Sequence, residues 1–286
     1  MWLWLAIFSA VFLGVYDVAK KKSLARNSVL WVLFSVSVLS TILLIPFFSR
    51  ADNPRDYLML VPKAFFVSAS WISGLLAMRD LPLTTISTIK ASRPIFVVLL
   101  SILIFGERLN LWQWAGVVLA LSALFMLSRS SRSEGIYFSK NKGILMAAIS
   151  VIMGVVSALY DKAAISSMGL APFFVQSWCN LYITIILGVI VLFKALRESP
   201  DKRERFTWDP LLIAVAVLIV GADALYFYSL SCEGAMLSVI SLLRRFSVVV
   251  TFALGAIVFK EGNVKSKAGI LSILMAGLIL LLYGSR

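Results

Sequence analysis

Apolar runs of about twenty residues follow one another from one end of this chain to the other, and no other feature of the sequence limits its fold as severely. A helix needs about 20 such residues to cross a hydrocarbon core about 30 Å thick. Within that core every backbone amide must find its partner inside the protein, which favours helices. The pattern predicts about ten spans, at 2–20, 28–48, 58–78, 82–105, 111–128, 143–163, 172–194, 210–231, 235–259 and 266–284. Turn and charge signals punctuate them, among them Lys20-Lys21-Lys22, Asn53-Pro54, Gly106-Glu107-Arg108, Ser199-Pro200-Asp201 and Glu261-Gly262-Asn263. The expected fold class is all-α integral membrane, with no stretch left over for a separate soluble domain.

Charge usage agrees, since only 14% of residues are charged, against about 25% in an ordinary globular chain. A net charge of +13 would suggest nucleic acid in a soluble protein. Here most cations flank spans, where lipid headgroups and the positive-inside bias account for them, so nucleic acid is not an expected partner. The loops joining spans 1–2, 3–4, 5–6, 7–8 and 9–10 carry 17 Lys and Arg, and the other loops and termini about 6, which puts both termini outside. The first apolar run has no basic leader and no convincing cleavage site, so it reads as a span and not a removed signal peptide. Histidine is absent, and no thiol cluster or G-x-S-x-G elbow replaces it. No catalytic residue, metal site or cofactor is expected, and Cys179 and Cys232 read as small buried side chains.

Internal similarity organises the ten spans. Tyr16-Asp17 in span 1 is answered by Tyr160-Asp161 in span 6, a shift of 144 residues. Ile86-Ser87, Lys90, Phe105 and Glu107 are answered by Ile240-Ser241, Arg244, Phe259 and Glu261, a shift of 154 that the longer loop after Ala195 explains. The expected division is a first five-helix unit at 1–128, a basic, Ser-rich linker at 129–142 and a second unit at 143–286. Five is odd, so the second unit enters the membrane from the opposite side: two inverted five-helix repeats, with any site near the midplane between them.

The run I-S-T-I-K-A-S-R-P-I-F-V-V-L-L-S-I-L-I-F-G-E-R-L, Ile86 to Leu109, resembles the fourth-span signature of the drug/metabolite transporter superfamily, particularly its EamA-type members. The resemblance implies a ten-span carrier of small solutes. Lys90-Ala-Ser with Pro94, together with Leu243-Arg244-Arg245-Phe246, also looks like the phosphate-translocator branch, in which a fourth-span lysine and a ninth-span basic pair hold the substrate phosphate. Arg93 departs from that pattern.

A cation near the middle of a span costs about 2.5–3.5 kcal/mol on insertion scales, so Lys90, Arg93, Arg244 and Arg245 need compensation. Lys90 and Arg244 lie about 12 to 14 Å from opposite faces, which brings both near the midplane. They are expected, with Ser87 and Ser241, to line a shared cavity for the phosphate or carboxylate of a solute. Asp223 lies at nearly the depth of Arg244 and is the candidate counter-ion. Asp17 and Asp161, each preceded by a tyrosine (Tyr16, Tyr160), are candidates for proton or ion coupling. The plainer reading pairs Asp17 with Lys20 or Lys21. Glu107 and Glu261 are expected to order loops, Pro94 to bend span 4, and Trp31, Trp71, Trp112, Trp114 and Trp208 to anchor span ends, with Trp71 nearest the cavity. The expected function is alternating-access transport of a small anionic metabolite across the cell membrane, the partners being the solute and the bilayer. Export of amino acids or other neutral or zwitterionic metabolites, a lipid-linked substrate flippase, a non-transporting scaffold and a homodimeric state remain open.

Overall fold

A computed structural model describes residues 2–50, 53–93, 95–96, 110–132, 141–162, 164, 168–197, 206–231, 244, 246–261 and 263–284. The described residues form ten α-helices: α1 Trp2–Ser23, α2 Val29–Leu44, α3 Pro54–Asp80, α4 Leu83–Ala91, α5 Leu111–Arg132, α6 Lys142–Lys162, α7 Pro172–Arg197, α8 Pro210–Ser231, α9 Ser247–Phe259 and α10 Val264–Gly284. Each falls within or around one predicted span. Five of them, α2 with the 3-10 turn that follows it, α3, α5, α6 and α7, are long and apolar enough to cross a membrane by length and composition.

Local chemistry sets several of the ends. Asn53 caps α3 by accepting the Arg55 amide, and Pro54 takes the first helical position, where its missing N–H removes no bond. α4 loses its regular hydrogen bonding after Ala91: the Ser92 amide bonds the Ile89 carbonyl and the Ile95 amide bonds that of Ser92. This shift to three-residue turns lies beside Pro94, which is itself outside the described residues, and fits the conformational limits proline puts on its neighbour.

The principal packing joins helices early in the chain to helices late in it: α5 with α10, α3 with α6, α1 with α8, α2 with α7, and α4 with α9. Exchanging each helix for the one five places along converts α3–α6 into α8–α1 and α3–α7 into α8–α2, and all of these pairs occur. Loop contacts show which ends share a face. Asn27 exchanges hydrogen bonds with Thr207, Glu261 reaches Leu83, and Asn263 reaches Ser130, so the α1–α2, α7–α8, α3–α4 and α9–α10 turns and the end of α5 lie together. On the opposite face Phe47 stacks on Phe173, Trp178 donates to the Ser49 carbonyl, and Asn110 donates to that of Gly284.

The α5–α10 seam is closed by small residues. A Cβ on Gly277 would stand 2.8 Å from the Gly116 carbonyl oxygen and 3.1 Å from the Ala120 amide nitrogen. Backbones that approach this closely gain dispersion contacts that lipid tails cannot supply. Gly277→Leu should therefore wedge the seam open and lower stability by about 1–3 kcal/mol. Gly269→Ala, where nothing lies within 4 Å of the added carbon, should leave stability unchanged or raise it by up to about 1 kcal/mol. Thermal unfolding of the purified variants in one detergent checks both signs.

Candidate functional site

Four helices enclose a cavity of about 150 Å³. Ser40 and Leu44 from the end of α2, Lys63, Val67 and Trp71 from the first two-thirds of α3, Gln176, Cys179, Asn180 and Ile183 from the start of α7, and Ile219, Val220 and Asp223 from α8 line it. The ends of α2, α3 and α7 concerned belong to the face that carries the Phe47–Phe173 stack. The cavity therefore lies toward that face and away from the Glu261–Leu83 contact. Its polar wall is arranged by the helix pitch: Gln176 and Asn180 stand four apart on one face of α7. The Asn180 amide donates to Thr41 Oγ1 at 2.8 Å and to the Ser37 carbonyl at 3.3 Å, which ties α7 to α2.

Beside this cavity runs a chain of charges. Lys90 of α4 pairs with Asp17 of α1 at 3.2 Å, and Thr251 of α9 donates to the other Asp17 oxygen at 3.5 Å. Arg244 pairs with Asp223, and its guanidinium lies 4.3 Å from the centre of the Tyr226 ring. Gln176 donates to the second Asp223 oxygen at 3.5 Å. Lys20, only 5% exposed, donates to the Tyr16 hydroxyl at 2.8 Å and stands 5.3 Å from the centre of the Trp71 ring. Arg93 reaches Ser70 Oγ and the Ser150 carbonyl, each at 3.5 Å, while its Nε is buried without a partner. Its guanidinium lies directly on Gly154, where a Cβ would come within 2.2 Å of it.

The field of Asp17 acts on Tyr16, Lys20 and Arg93 as well as on its partner, and that of Asp223 acts on Tyr16. The charges thus form one electrostatic group. It holds Lys20, Lys90, Arg93 and Arg244 against Asp17 and Asp223. Among the described residues no carboxylate lies within ion-pair distance of Lys20 or Arg93.

Several expectations change. Lys90 and Arg244 were expected to line the cavity together, but each is held by a carboxylate and neither lines it. Asp17 reaches across to α4, so it does not pair with Lys20 or Lys21. Ser87 is 1% exposed and donates to the Thr84 carbonyl of its own helix, away from the cavity. Tyr16 is buried beside Lys20, whereas Tyr160 is half-buried and bonds the Met59 carbonyl of α3. Arg245, Ser241, Glu107, Cys232 and the Asp161 side chain lie outside the described residues. Asp223 does partner Arg244, as equal depth suggests, and Trp71 does line the cavity. Lys63, Gln176 and Asn180 were not singled out. Lys63, a cation six residues inside an apolar run, was the readable signal for the first of them.

A further charged cluster closes the opposite face. Glu261, just after α9, accepts the Leu83 and Thr84 amides at 2.5 and 2.8 Å and pairs with Lys21 of α1 at 3.0 Å. Burial pushes the Glu261 carboxyl up, but Thr84, through its side chain and amide, together with Lys21 and the Leu83 amide, more than offsets this and holds it below the usual range. For Lys21 burial prevails over the same partner, and the ammonium is held below its ordinary value.

Breaking the Asp17–Lys90 pair on one side leaves a charge facing a poorly solvated interior. Asp17→Asn or Lys90→Met should each cost about 1–2 kcal/mol, the usual buried-pair loss being reduced because both side chains are partly exposed. The double variant should lose less than the sum of the two. Thermal unfolding of all three decides it, and additive losses would show that the two residues are not coupled.

The sequence model of the EamA-like transporter family matches residues 1–129. Nothing in that match supports the phosphate-translocator branch. No curated protein matches the chain by sequence. A solved crystal structure, described only as that of a protein, has the same fold, with a TM-score of 0.64 and 15% identity over 100% of this chain and 99% of that one. Residues 1–129 are thus similar to the EamA-like transporter family, a branch of the drug/metabolite transporter superfamily, and the long apolar helices are those of an integral multi-pass membrane protein.

Proposed function

We propose that the protein is an alternating-access carrier of a small metabolite bearing a carboxylate or phosphate group. The observation that carries this reading is the excess of cations in the electrostatic group beside the cavity: Lys20, Lys90, Arg93 and Arg244 against Asp17 and Asp223 among the described residues. Positive charge without compensation in a membrane interior is costly. An anionic solute supplies the missing charge, and guanidinium and ammonium groups suit oxyanions. Lys63 is the cation at the cavity wall, with Lys20 against the ring of Trp71. Lys90 and Arg244 act through their carboxylate partners: an arriving anion competes with Asp17 and Asp223 for them, so it favours a different arrangement of the helices that carry these residues. Only such a difference in affinity between states lets a solute drive alternation. The five-helix units α1–α5 and α6–α10 are the bodies that rock, and the charge of the basic loops supports a cytoplasmic position for their shared face.

A zwitterion of the amino-acid class is the second reading. It is favoured by Asp223, which stands in the same cavity wall as Lys63 and offers an acceptor for an ammonium group.

Counterflow of labelled solute in proteoliposomes, after a thermal-stabilisation screen of phosphorylated sugars, organic acids and amino acids, tests the assignment. Saturable exchange of an anion is expected. Lys63→Ala and Arg93→Ala should lower it about 10- to 100-fold at normal membrane abundance, the equivalent of losing one charged hydrogen bond. Gly154→Ala should behave like Arg93→Ala, because its methyl group displaces the guanidinium. Stabilisation by amino acids alone would favour the second reading, and stabilisation by cations alone would end both.

A further inference from the structure

The charged cluster around Glu261 lies on the face opposite the cavity and joins three separate parts of the chain. Glu261 belongs to the α9–α10 turn, Leu83 and Thr84 to the first turn of α4, and Lys21 to the end of α1. Lys21 also donates to the Leu81 carbonyl at 3.1 Å and lies 4.7 Å from the centre of the Phe259 ring. Lys267 of α10, fully buried, donates to Thr84 Oγ1 at 3.2 Å. No side chain of α4 caps its own first turn. Its first-turn amides and positive dipole end are met by a carboxylate 177 residues away in sequence.

The turn that carries Glu261 is bent to reach this position. Lys260 and Asn263, on either side, have φ of 48° and 56°. A lysine in that left-handed region is strained, and such strain persists only where the surroundings hold it. Ordinary loop ordering would not need a carboxylate shared between the start of α4 and the end of α1. Meanwhile the cavity lies toward the other face, among the ends of α2, α3 and α7.

We propose that Glu261 is the latch of a gate: bound to the α4 amides and Lys21, it shuts the face of the α1–α2, α3–α4 and α9–α10 turns while the cavity is reached from the opposite face. It lets go when the carrier turns over. This inference rests on the protein being a carrier and is independent of the charge of its solute. Removing the carboxylate weakens the shut state and shifts the population toward the arrangement open on the latch face.

The test reads which side the cavity opens to. Full-length protein with Cys179→Ser and Cys232→Ser, carrying Val67→Cys in the cavity wall, is labelled with a membrane-impermeant cationic thiol reagent in vesicles of each orientation. With Glu261 intact, labelling comes mainly from the face opposite the latch. Glu261→Gln should raise labelling from the latch face at least about fivefold and reduce it from the other. Lys21→Met, which keeps the cap and removes the ion pair, should shift it in the same direction by less, and it carries the test if Glu261→Gln does not fold. Unchanged face preference in folded variants, judged by their retained thermal transition, overturns the latch, whatever the solute proves to be.

Discussion

A charged side chain inside a bilayer must be matched by another charge, by water or by something bound, and this requirement organises most of what distinguishes the interior of this protein from ordinary apolar packing. The helix bundle itself needs little explanation: apolar faces, small residues at α5–α10 and internally satisfied amides suffice. What has to be explained is why Lys20, Lys63, Lys90, Arg93 and Arg244 are tolerated. Part of the answer is pairing across elements distant in sequence, Asp17 with Lys90 and Asp223 with Arg244. Those pairs balance Lys90 and Arg244, and they leave Lys20 to the aromatic faces of Tyr16 and Trp71 and Arg93 to the hydroxyl of Ser70 and the carbonyl of Ser150.

The same constraint acts differently on the two faces. Toward the cavity, polar and charged groups are distributed around a hollow and include atoms without partners, such as Ser40 Oγ and Gln176 Oε1. On the opposite face Glu261 is fully engaged by two amides and a lysine. An incompletely satisfied region toward one face and a tightly satisfied one at the other are what a carrier caught facing one side requires. The first has room for a solute and the second has to be broken to release it.

Much of the fold was legible because its governing signal is local. The run at 210–231 coincides with α8, Pro210–Ser231, and the runs at 111–128 and 143–163 differ from α5 and α6 by a few terminal residues. Apolar length fixes such helices without reference to the rest of the chain. The charge partners were less legible because they are set by three-dimensional proximity. Asp17 and Lys90 are 73 residues apart, and the nearer lysines at helical spacing were the obvious local choice. Asp223 and Arg244 were readable because two spans joined by one loop place equal distances from that loop at equal depth. Lys63 was passed over because a cation near the start of a span looks like a headgroup contact until the tilt and packing of α3 are known. The role of Glu261 as a cap for α4 could not be read at all, since nothing near Leu83 in sequence lacks a partner until the helix end is seen.

The most direct test of the account is a structure of the protein with its transported solute bound. The account predicts an anionic group in the cavity between α2, α3, α7 and α8, within hydrogen-bonding distance of Lys63 or close enough to Arg93 and Lys20 to share their charge. A solute bound outside this cavity, or one whose only charged group is a cation held by Asp223 or Asp17, would contradict it.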